Sequence, residues 1–381
     1  MSWRNERTLY RRKCDLCNKD IIAIYSSGKF KVYCRECFWS DRWNPENYAK
    51  EYDFSRSFFK QFNELQKEVP RLYAMTTQDV KSDYVNGTAF NKNCYLIIAS
   101  DHNEDSAYSY STFYCKDVFD CTGAHNCELS SWVIDCEKSF KIYNTQDSIG
   151  SQDLYFCKNC HNCHDCVGCV NLRNKSYCIF NRQYSKEEYV AELEKLNIGA
   201  YSSESNIVEK LEKISMQLPF KYIHGKNNVN VSGDYLTNSK KSFSVFDSQD
   251  MEDSKFINIG NKVKDSYDAW AIVDNVELNY ENISHNSSKT KFTFAFWSGH
   301  NGFYSDTCEG GNNLFASIGL RNKSYCILNR QYTKEEYEAL VPRIIKHMND
   351  MPYIDKKGRV YKYGEFFPPE LSPFAYNETI A

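Results

Sequence analysis

One phrase occurs twice in this chain, and it limits the folds that the chain can adopt more than any other feature. Residues 171–189 are NLRNKSYCIFNRQYSKEEY and residues 320–337 are LRNKSYCILNRQYTKEEY, with Leu172 and Leu320 148 positions apart. The same offset relates Cys94 to Ser242 and Ser106 to Ser254. The duplication therefore extends beyond the phrase and predicts two copies of one structural unit.

A shorter period runs through each copy. Short aromatic or apolar stretches begin at steps of 12, 12, 13 and 11 residues, at Ser242, Ser254, Ser266, Asn279 and Thr290. A period this short, sustained over a copy, predicts a β-solenoid, and we expect two units, about 24 residues, in each coil. Alternation in KFTFAFW predicts that Phe292, Phe294 and Phe296 share one face of a strand.

Helices are predicted at three places. Each copy ends with a capping box, Ser185 with Glu188 and Thr333 with Glu336, which predicts a helix that closes the copy. Earlier in the chain, apolar residues recur at helical spacing before Pro70 and predict a linking helix, at Phe58, Phe59, Phe62 and Leu65.

The N-terminal cysteines have the spacing of a structural zinc ribbon. The C-x2-C-x16-C-x2-C pattern consists of Cys14, Cys17, Cys34 and Cys37. Four thiolates fill a tetrahedral Zn²⁺ site and leave no position open for catalysis. The segment between the two pairs predicts a β-hairpin that turns at Ser27-Gly28, with Ile22, Ile24 and Val32 alternating along its strands. Four buried free cysteines are the alternative.

Charge is concentrated around this pattern. The whole chain has a net charge of −3, but residues 1–35 contain nine basic and three acidic side chains. Arg11, Arg12 and Lys13 are therefore candidate nucleic-acid contacts. The alternative is that the cations compensate the negative charge of a zinc tetrathiolate or contact a protein partner.

A second cysteine cluster has five members at steps of three residues, Cys157, Cys160, Cys163, Cys166 and Cys169. They are candidate ligands of a second metal ion. The duplication favours a different interpretation, because the positions 148 further on are Ser305, Cys308, Gly311, Leu314 and Ser317. We therefore expect these cysteines to be stacked in the interior as small apolar residues.

The sequence has no recognisable catalytic motif, such as a P-loop or H-E-x-x-H. We predict a non-enzymatic scaffold in a larger assembly such as a virion or surface complex, with nucleic-acid binding and a carbohydrate-active enzyme as alternatives. Polar residues of the repeated phrase are predicted to bond turn carbonyls at a structural corner, at Arg173, Asn181, Arg182, Arg321, Asn329 and Arg330.

The cellular setting follows from the 17 cysteines, an odd number in tight clusters. The N-terminus lacks an apolar leader, and no apolar run approaches the roughly 20 residues of a membrane span. We therefore predict thiols and metal ligands in a reducing compartment, the cytoplasm, or association with a virion if the protein is viral. A protein partner is predicted, and a membrane or a small-molecule substrate is not.

Several motifs together resemble an uncharacterised zinc-ribbon, Cys-rich β-solenoid family that is common in candidate-phyla bacteria and environmental sequences. They are RKCDLCNKDIIAIYSSGKFKVYCRECFWSDRW, FNKNCYLI, CHNCHDCVGCVNLRNKSYCIFNRQYSKEEY and YGEFFPPELSPFAYNETIA. The resemblance spans nearly the whole chain and implies no activity, substrate or catalytic residue. Some members continue past a YNET tail, and the resemblance leaves open whether this chain is a C-terminally shortened member.

The predicted fold is mainly β. It comprises a zinc ribbon with a basic arm (1–45), a helical linker (46–76), a first solenoid copy with capping helices (77–227), a second copy with a capping helix (228–365) and a tail (366–381).

Overall fold

The computed structural model describes residues 3–272 and 274–375. It is mainly β, as predicted, and divides into two compact units. One unit comprises residues 74–220, called here the first repeat unit. The other comprises residues 1–73 with residues 221–381, called here the composite unit because it contains the N-terminal segment and the second copy. Residues 376–381, which include the YNET tail, lie outside the described residues.

The N-terminal segment of the composite unit has four short strands and two α-helices. In chain order these are β1 (Tyr10–Lys13), β2 (Asp20–Ala23), β3 (Val32–Tyr33), α1 (Arg35–Phe38), α2 (Phe58–Glu68) and β4 (Arg71–Leu72), with a 3-10 helix at Pro45–Tyr48 before α2. The predicted linking helix is confirmed as α2, and its four predicted apolar residues are buried.

The predicted hairpin between the two cysteine pairs is wrong. Strand β2 pairs antiparallel with β1, and β3 pairs parallel with β4. The chain reverses earlier, because the Cys14 amide bonds the Lys19 carbonyl at 2.8 Å and closes a tight turn between β1 and β2. Strand β3 is then free to pair with the segment that follows α2.

The first repeat unit contains eleven strands and two helices among its described residues. They are β5 (Thr76–Thr77), β6 (Asn86–Ala89), β7 (Ile98–Asp101), β8 (Lys116–Phe119), β9 (Thr122–His125), β10 (Glu128–Glu137), β11 (Phe140–Gln146), β12 (Gln152–Tyr155), β13 (His164–Val167), β14 (Ser176–Ile179), β15 (Arg182–Gln183), α3 (Lys186–Leu196) and α4 (Tyr201–Ser215). Helix α3 begins with the predicted capping box, which is confirmed.

The composite unit repeats this organisation in residues 221–375. Its elements are β16 (Gly225–Lys226), β17 (Val229–Thr237), β18 (Lys240–Gln249), β19 (Lys255–Asn261), β20 (Val263–Lys264), β21 (Tyr267–Ile272), β22 (Val276–Glu277), β23 (Tyr280–His285), β24 (Lys291–Trp297), β25 (His300–Phe303), β26 (Asn312–Phe315), β27 (Ser324–Ile327), β28 (Arg330–Gln331), α5 (Lys334–Asp350), β29 (Tyr353–Ile354) and β30 (Val360–Tyr361), with a 3-10 helix at Pro369–Leu371. Helix α5 begins with the second predicted capping box, also confirmed.

Parallel pairing between residues 12 apart connects the strands of each copy. Register partners on successive strands form a column, and one such column consists of Glu128, Phe140, Gln152, His164 and Ser176. The chain therefore returns to the neighbouring strand after 12 residues, and the predicted 24-residue coil is wrong. The sequence pattern of a polar residue before an apolar stretch therefore recurs once in each return of the chain, whereas the prediction placed it twice in each coil.

A left-handed residue at every third position explains this short return. Every third residue from Gln78 to Phe180 has a positive φ. Such a residue turns the chain, so straight segments are only three residues long, and four of them complete the 12-residue return. Most L-residues disfavour this conformation, but Asn and Asp tolerate it because their side chains bond locally. They occupy three consecutive turns at Asn159, Asn162 and Asp165.

The interior consequently has a period of three residues instead of the strand period of two. Phe296 belongs to the interior cluster with Cys308 and Leu314. Phe292 and Phe294 are also buried, but they contact other rings, Tyr304 at 4.7 Å and Phe374 at 5.5 Å. The expectation that the three phenylalanines share one face is therefore wrong, because the left-handed turn at Ala295 separates them.

Candidate metal centre

Two turns bring the four N-terminal cysteines together. Cys14 follows β1, Cys17 lies in the turn to β2, Cys34 precedes α1 and Cys37 lies within it. Their sulfur atoms all lie within 4.8 Å of one another. Three of the thiols are buried and Cys17 is exposed. The arrangement can hold a metal ion, and all four donors are thiols of this chain.

Burial raises the pKa of the Cys34 and Cys37 thiols, whereas hydrogen-bond donors to Cys14 favour the thiolate form that binds metal. Burial opposes ionisation of Cys14, but backbone N–H groups, including that of Cys34 at 3.2 Å, lower its pKa to about 7. The Arg42 guanidinium donates to Cys37 Sγ at 2.8 Å. A four-thiolate set at this spacing is typical of structural zinc sites. The basic residue beside it compensates negative charge at the centre.

The three candidate nucleic-acid contacts have different surroundings. The Arg12 side chain is only 4% exposed, and its guanidinium donates to Asp15 at 2.7 Å and to the Ser26 carbonyl at 2.8 Å. Lys13 is exposed and forms an ion pair with Asp20 at 2.9 Å. Arg11 is exposed. Arg12 therefore stabilises the N-terminal segment from inside, whereas Arg11 and Lys13 lie on its surface.

Aromatic rings beside the cysteines enclose Arg321 of the repeated phrase. The guanidinium carbon lies 4.6, 4.3 and 5.4 Å from the ring centroids of Phe38, Trp39 and Trp43. The same group donates to the Phe38 carbonyl at 2.6 Å. Stacked, partly desolvated arginines of this kind contribute about 1–2 kcal/mol per favourable ring contact. This contact holds the four-cysteine segment against the second copy.

Strand β4, which follows α2, is held to the same copy by a buried ion pair. Arg71 donates to the two carboxylate oxygens of Asp306 at 3.1 and 2.5 Å, and both side chains are 0% exposed. Gln66, from α2, donates to the same carboxylate at 3.1 Å. Sequence patterns did not identify these residues. A comparison of the two copies could have singled out Asp306, because the equivalent residue in the first copy is Lys158, which has the opposite charge.

The corresponding corner of the first copy uses its arginine differently. Arg173 donates to the backbone carbonyl of Asn159 and to its side chain. Asn181 closes the corner through two bonds to the backbone of Val170, at 2.8 and 3.0 Å. Arg182 lies over the ring of Tyr184, with 5.0 Å to the centroid. These polar groups satisfy backbone and side-chain groups of the same copy.

In the second copy the corner residues also contact the N-terminal segment. Asn329 bonds the Ile318 backbone at 2.7 and 2.8 Å and donates to the Pro45 carbonyl at 3.1 Å. Arg330 forms an ion pair with Glu51 at 3.2 Å. A Cβ at Gly319 would lie 3.3 Å from Val69, whereas the equivalent residue in the first copy is Asn171. Because Gly319 has no side chain, Val69 of the N-terminal segment can pack closely against the second copy at this position.

The second cysteine cluster occupies the interior positions of the first repeat unit. All five members are at most 1% exposed and share one apolar cluster with Val133 and Leu154. Their three-residue spacing is the interior period, because a left-handed residue precedes each one. Their thiols donate to backbone carbonyls nine residues further on, from Cys157 to Cys166, from Cys160 to Cys169 and from Cys169 to Cys178, each at 3.5 Å.

Serine and cysteine take the same bonds at these interior positions. The Oγ of Ser151 accepts from the Cys163 amide at 3.2 Å, and Cys136 Sγ accepts from the Ser148 amide at 3.4 Å. Within residues 3–272 and 274–375, no group of metal-ligating side chains other than the N-terminal four converges closely enough to hold an ion. The same C-x2-C spacing therefore has two structural causes in this chain: the turns that bring the N-terminal four cysteines together, and the three-residue interior period of the first repeat unit.

No protein-family model matches the chain, and no curated protein is significantly similar to it. The resemblance to a Cys-rich β-solenoid family stays a prediction. Among the described residues, no helix combines the length and apolar character needed to cross a membrane.

Proposed function

We propose that the protein is a non-enzymatic, zinc-stabilised β-solenoid scaffold. The observation that supports this most strongly is the placement of the four-thiol centre, whose flanking aromatic residues enclose Arg321 of the second copy. Four protein donors leave a bound ion no open position for chemistry. The ion would order the turns that present these rings, and so would act through structure.

The proposed solenoid rests on the parallel pairing at 12-residue intervals in both copies. Each return of the chain stacks on the previous one, and α3 and α5 follow the last strands, where they would cover edges open to pairing with other chains. The surface of the first repeat unit exposes large aromatic side chains, including Tyr114 and Trp132 at 61% and 59%. Such residues favour a protein-binding scaffold over an inert spacer.

The test is the metal content of the purified protein and of two matched variants. We expect one zinc ion per chain, its loss in Cys37→Ser, and an unchanged content in Cys160→Ser, which alters an interior thiol of equal burial. Two zinc ions per chain, with one lost in Cys160→Ser, would contradict the assignment. Zinc retained in Cys37→Ser would contradict it as well.

The structural role of the zinc ion is tested separately by chelation. A chelator should expose the rings around Arg321, so tryptophan emission from Trp39 and Trp43 should shift to the red, and added zinc should reverse the shift. A complete loss of zinc with no spectral change would show that the ion does not organise this contact.

A further inference from the structure

An elongated cavity in the composite unit carries a second inference. It has a volume of about 580 Å³ and lies on the side of the second copy. Its lining residues come from five successive returns of the chain, represented by Lys264, Glu277, Lys289, His300 and Asn312. Four strand spacings of about 4.8 Å give the row a length of about 19 Å. A cavity of this form fits an extended ligand.

An irregularity in the repeat forms the cavity. Lys264 is the register partner of Glu277, a step of 13 residues where 12 is the rule. Asp274 and Asn275 are consecutive left-handed residues, with φ values of 52° and 56°. The next step is shorter, since Tyr280 pairs with Lys291. The extra residue and its later compensation displace one corner relative to the neighbouring returns of the chain.

The electrostatics of the cavity favour an anion. Lys262, Lys264 and Lys289 place three ammonium groups along it, against the single carboxylate of Glu277. Lys262 has a partner in Asp274 at 3.7 Å. In the described part of the chain, neither Lys264 nor Lys289 forms an ion pair, and both are exposed. Two ammonium groups are thus available on either side of Glu277.

The uncharged lining residues indicate which kind of anion fits. Asn275, Ser288, Asn301 and Asn312 offer amide and hydroxyl groups that bond ligand hydroxyls. The lining residues include no Phe, Tyr or Trp. Single-stranded nucleic acid is normally bound by positively charged grooves with aromatic stacking platforms. Few cations and many neutral donors suit a hydroxyl-rich, sparsely charged polymer better.

We propose that this cavity binds a segment of an acidic polysaccharide, with uronate carboxylates at Lys264 and Lys289 and sugar hydroxyls at the asparagine and serine side chains. The site lies beyond the scaffold function proposed above and is independent of the metal centre. No bond is made or broken in it, because binding alone is inferred.

The experiment measures equilibrium binding of three probes to the zinc-loaded chain at 0.15 M salt: hexagalacturonate, maltohexaose and a twelve-residue oligothymidylate. Hexagalacturonate should bind, and each of the other two should bind at least about 10-fold more weakly. Loss of charge-assisted bonds in the double variant Lys264→Gln/Lys289→Gln should weaken hexagalacturonate binding by about 10-fold or more. The matched control is Lys346→Gln, an exposed lysine on α5 already paired with Asp350 and not among the lining residues, and it should change binding less than about 2-fold.

Three results would overturn the proposal. The first is no binding of hexagalacturonate, and the second is equal binding of maltohexaose. The third is oligothymidylate binding as tight as that of the uronate probe, which would assign the cavity to phosphate polymers. Equal loss in the Lys346→Gln control would show that the effect is general surface charge. Unchanged circular dichroism of each variant separates loss of binding from loss of folding.

Discussion

Replacing Asp306 by alanine should destabilise the composite unit by about 3 kcal/mol. The substitution removes the only carboxylate bonded to Arg71 among the described contacts and leaves the guanidinium at 0% exposure without a counter-charge. Breaking one partner of a buried pair typically costs about 3–5 kcal/mol. The rings of Tyr25 and Phe30 lie 5.6 and 5.4 Å from the guanidinium carbon and offset part of that cost. The lower end of the range is therefore expected.

The assay is urea unfolding of the zinc-saturated full chain, followed by tryptophan emission, with thermal unfolding as a second measurement. For a unit of this size, 3 kcal/mol corresponds to a decrease in melting temperature of about 6–12 °C. The control Glu252→Ala breaks an exposed pair with Lys240 and should cost less than about 1 kcal/mol. The double variant Arg71→Met/Asp306→Leu removes both charges and should recover most of the stability.

Two outcomes would refute this reasoning. If Asp306→Ala costs no more than Glu252→Ala, the pair does not hold β4 to the second copy. If the apolar double variant is as unstable as Asp306→Ala, the loss arises from packing and not from an uncompensated charge. Asp306→Asn, which keeps the shape but not the charge, should lie between Asp306→Ala and the wild type.

Three further variants test the repeat itself. Burial raises the pKa of Asp101 to about 6 from 3.8, so the free energy of unfolding of the first repeat unit should fall, by up to about 3 kcal/mol, as the pH rises from about 4 to 6. Asp101→Asn should remove that slope in urea titrations at several pH values, and an unchanged slope would assign it to other groups. Gly299→Ala would place a Cβ 2.4 Å from Phe296 and should cost about 1–3 kcal/mol in urea unfolding, whereas Gly199→Ala, with nothing within 4 Å, should not destabilise. Cys160→Ser should cost less than about 2 kcal/mol, because serine makes the same interior bonds; a larger loss would give its thiol a specific role.

Elements that depend on local sequence were predictable. Helices α3 and α5 follow from their capping boxes, because the Ser185 or Thr333 side chain and the glutamate three residues on satisfy backbone groups within one turn. The four N-terminal cysteines follow from their spacing, since each C-x2-C turn places two sulfurs side by side. Helix α2 follows from the periodicity of its phenylalanines. None of these predictions needs a distant partner.

The interior of the repeats was not predictable from strand periodicity. An alternation rule assumes extended backbone at every residue, but here one residue in three is left-handed. The spacing of Cys157 to Cys169 contained the correct period, yet the same spacing also fits metal ligands. What distinguishes the two is convergence, because the N-terminal four meet at one point whereas these thiols follow one another along an interior.

The contact between the N-terminal segment and the second copy depends on differences between the copies. The repeated phrase supplies an equivalent arginine to both, Arg173 and Arg321. Only the second copy has an aspartate in place of Lys158, so only that copy compensates the charge of Arg71. A lysine at position 306 would place two cations together in a buried space, at a cost of several kcal/mol. This one difference in a duplicated framework therefore gives only the second copy a counter-charge for Arg71, and Asp306→Lys should destabilise the composite unit more than Asp306→Ala does in the urea titrations.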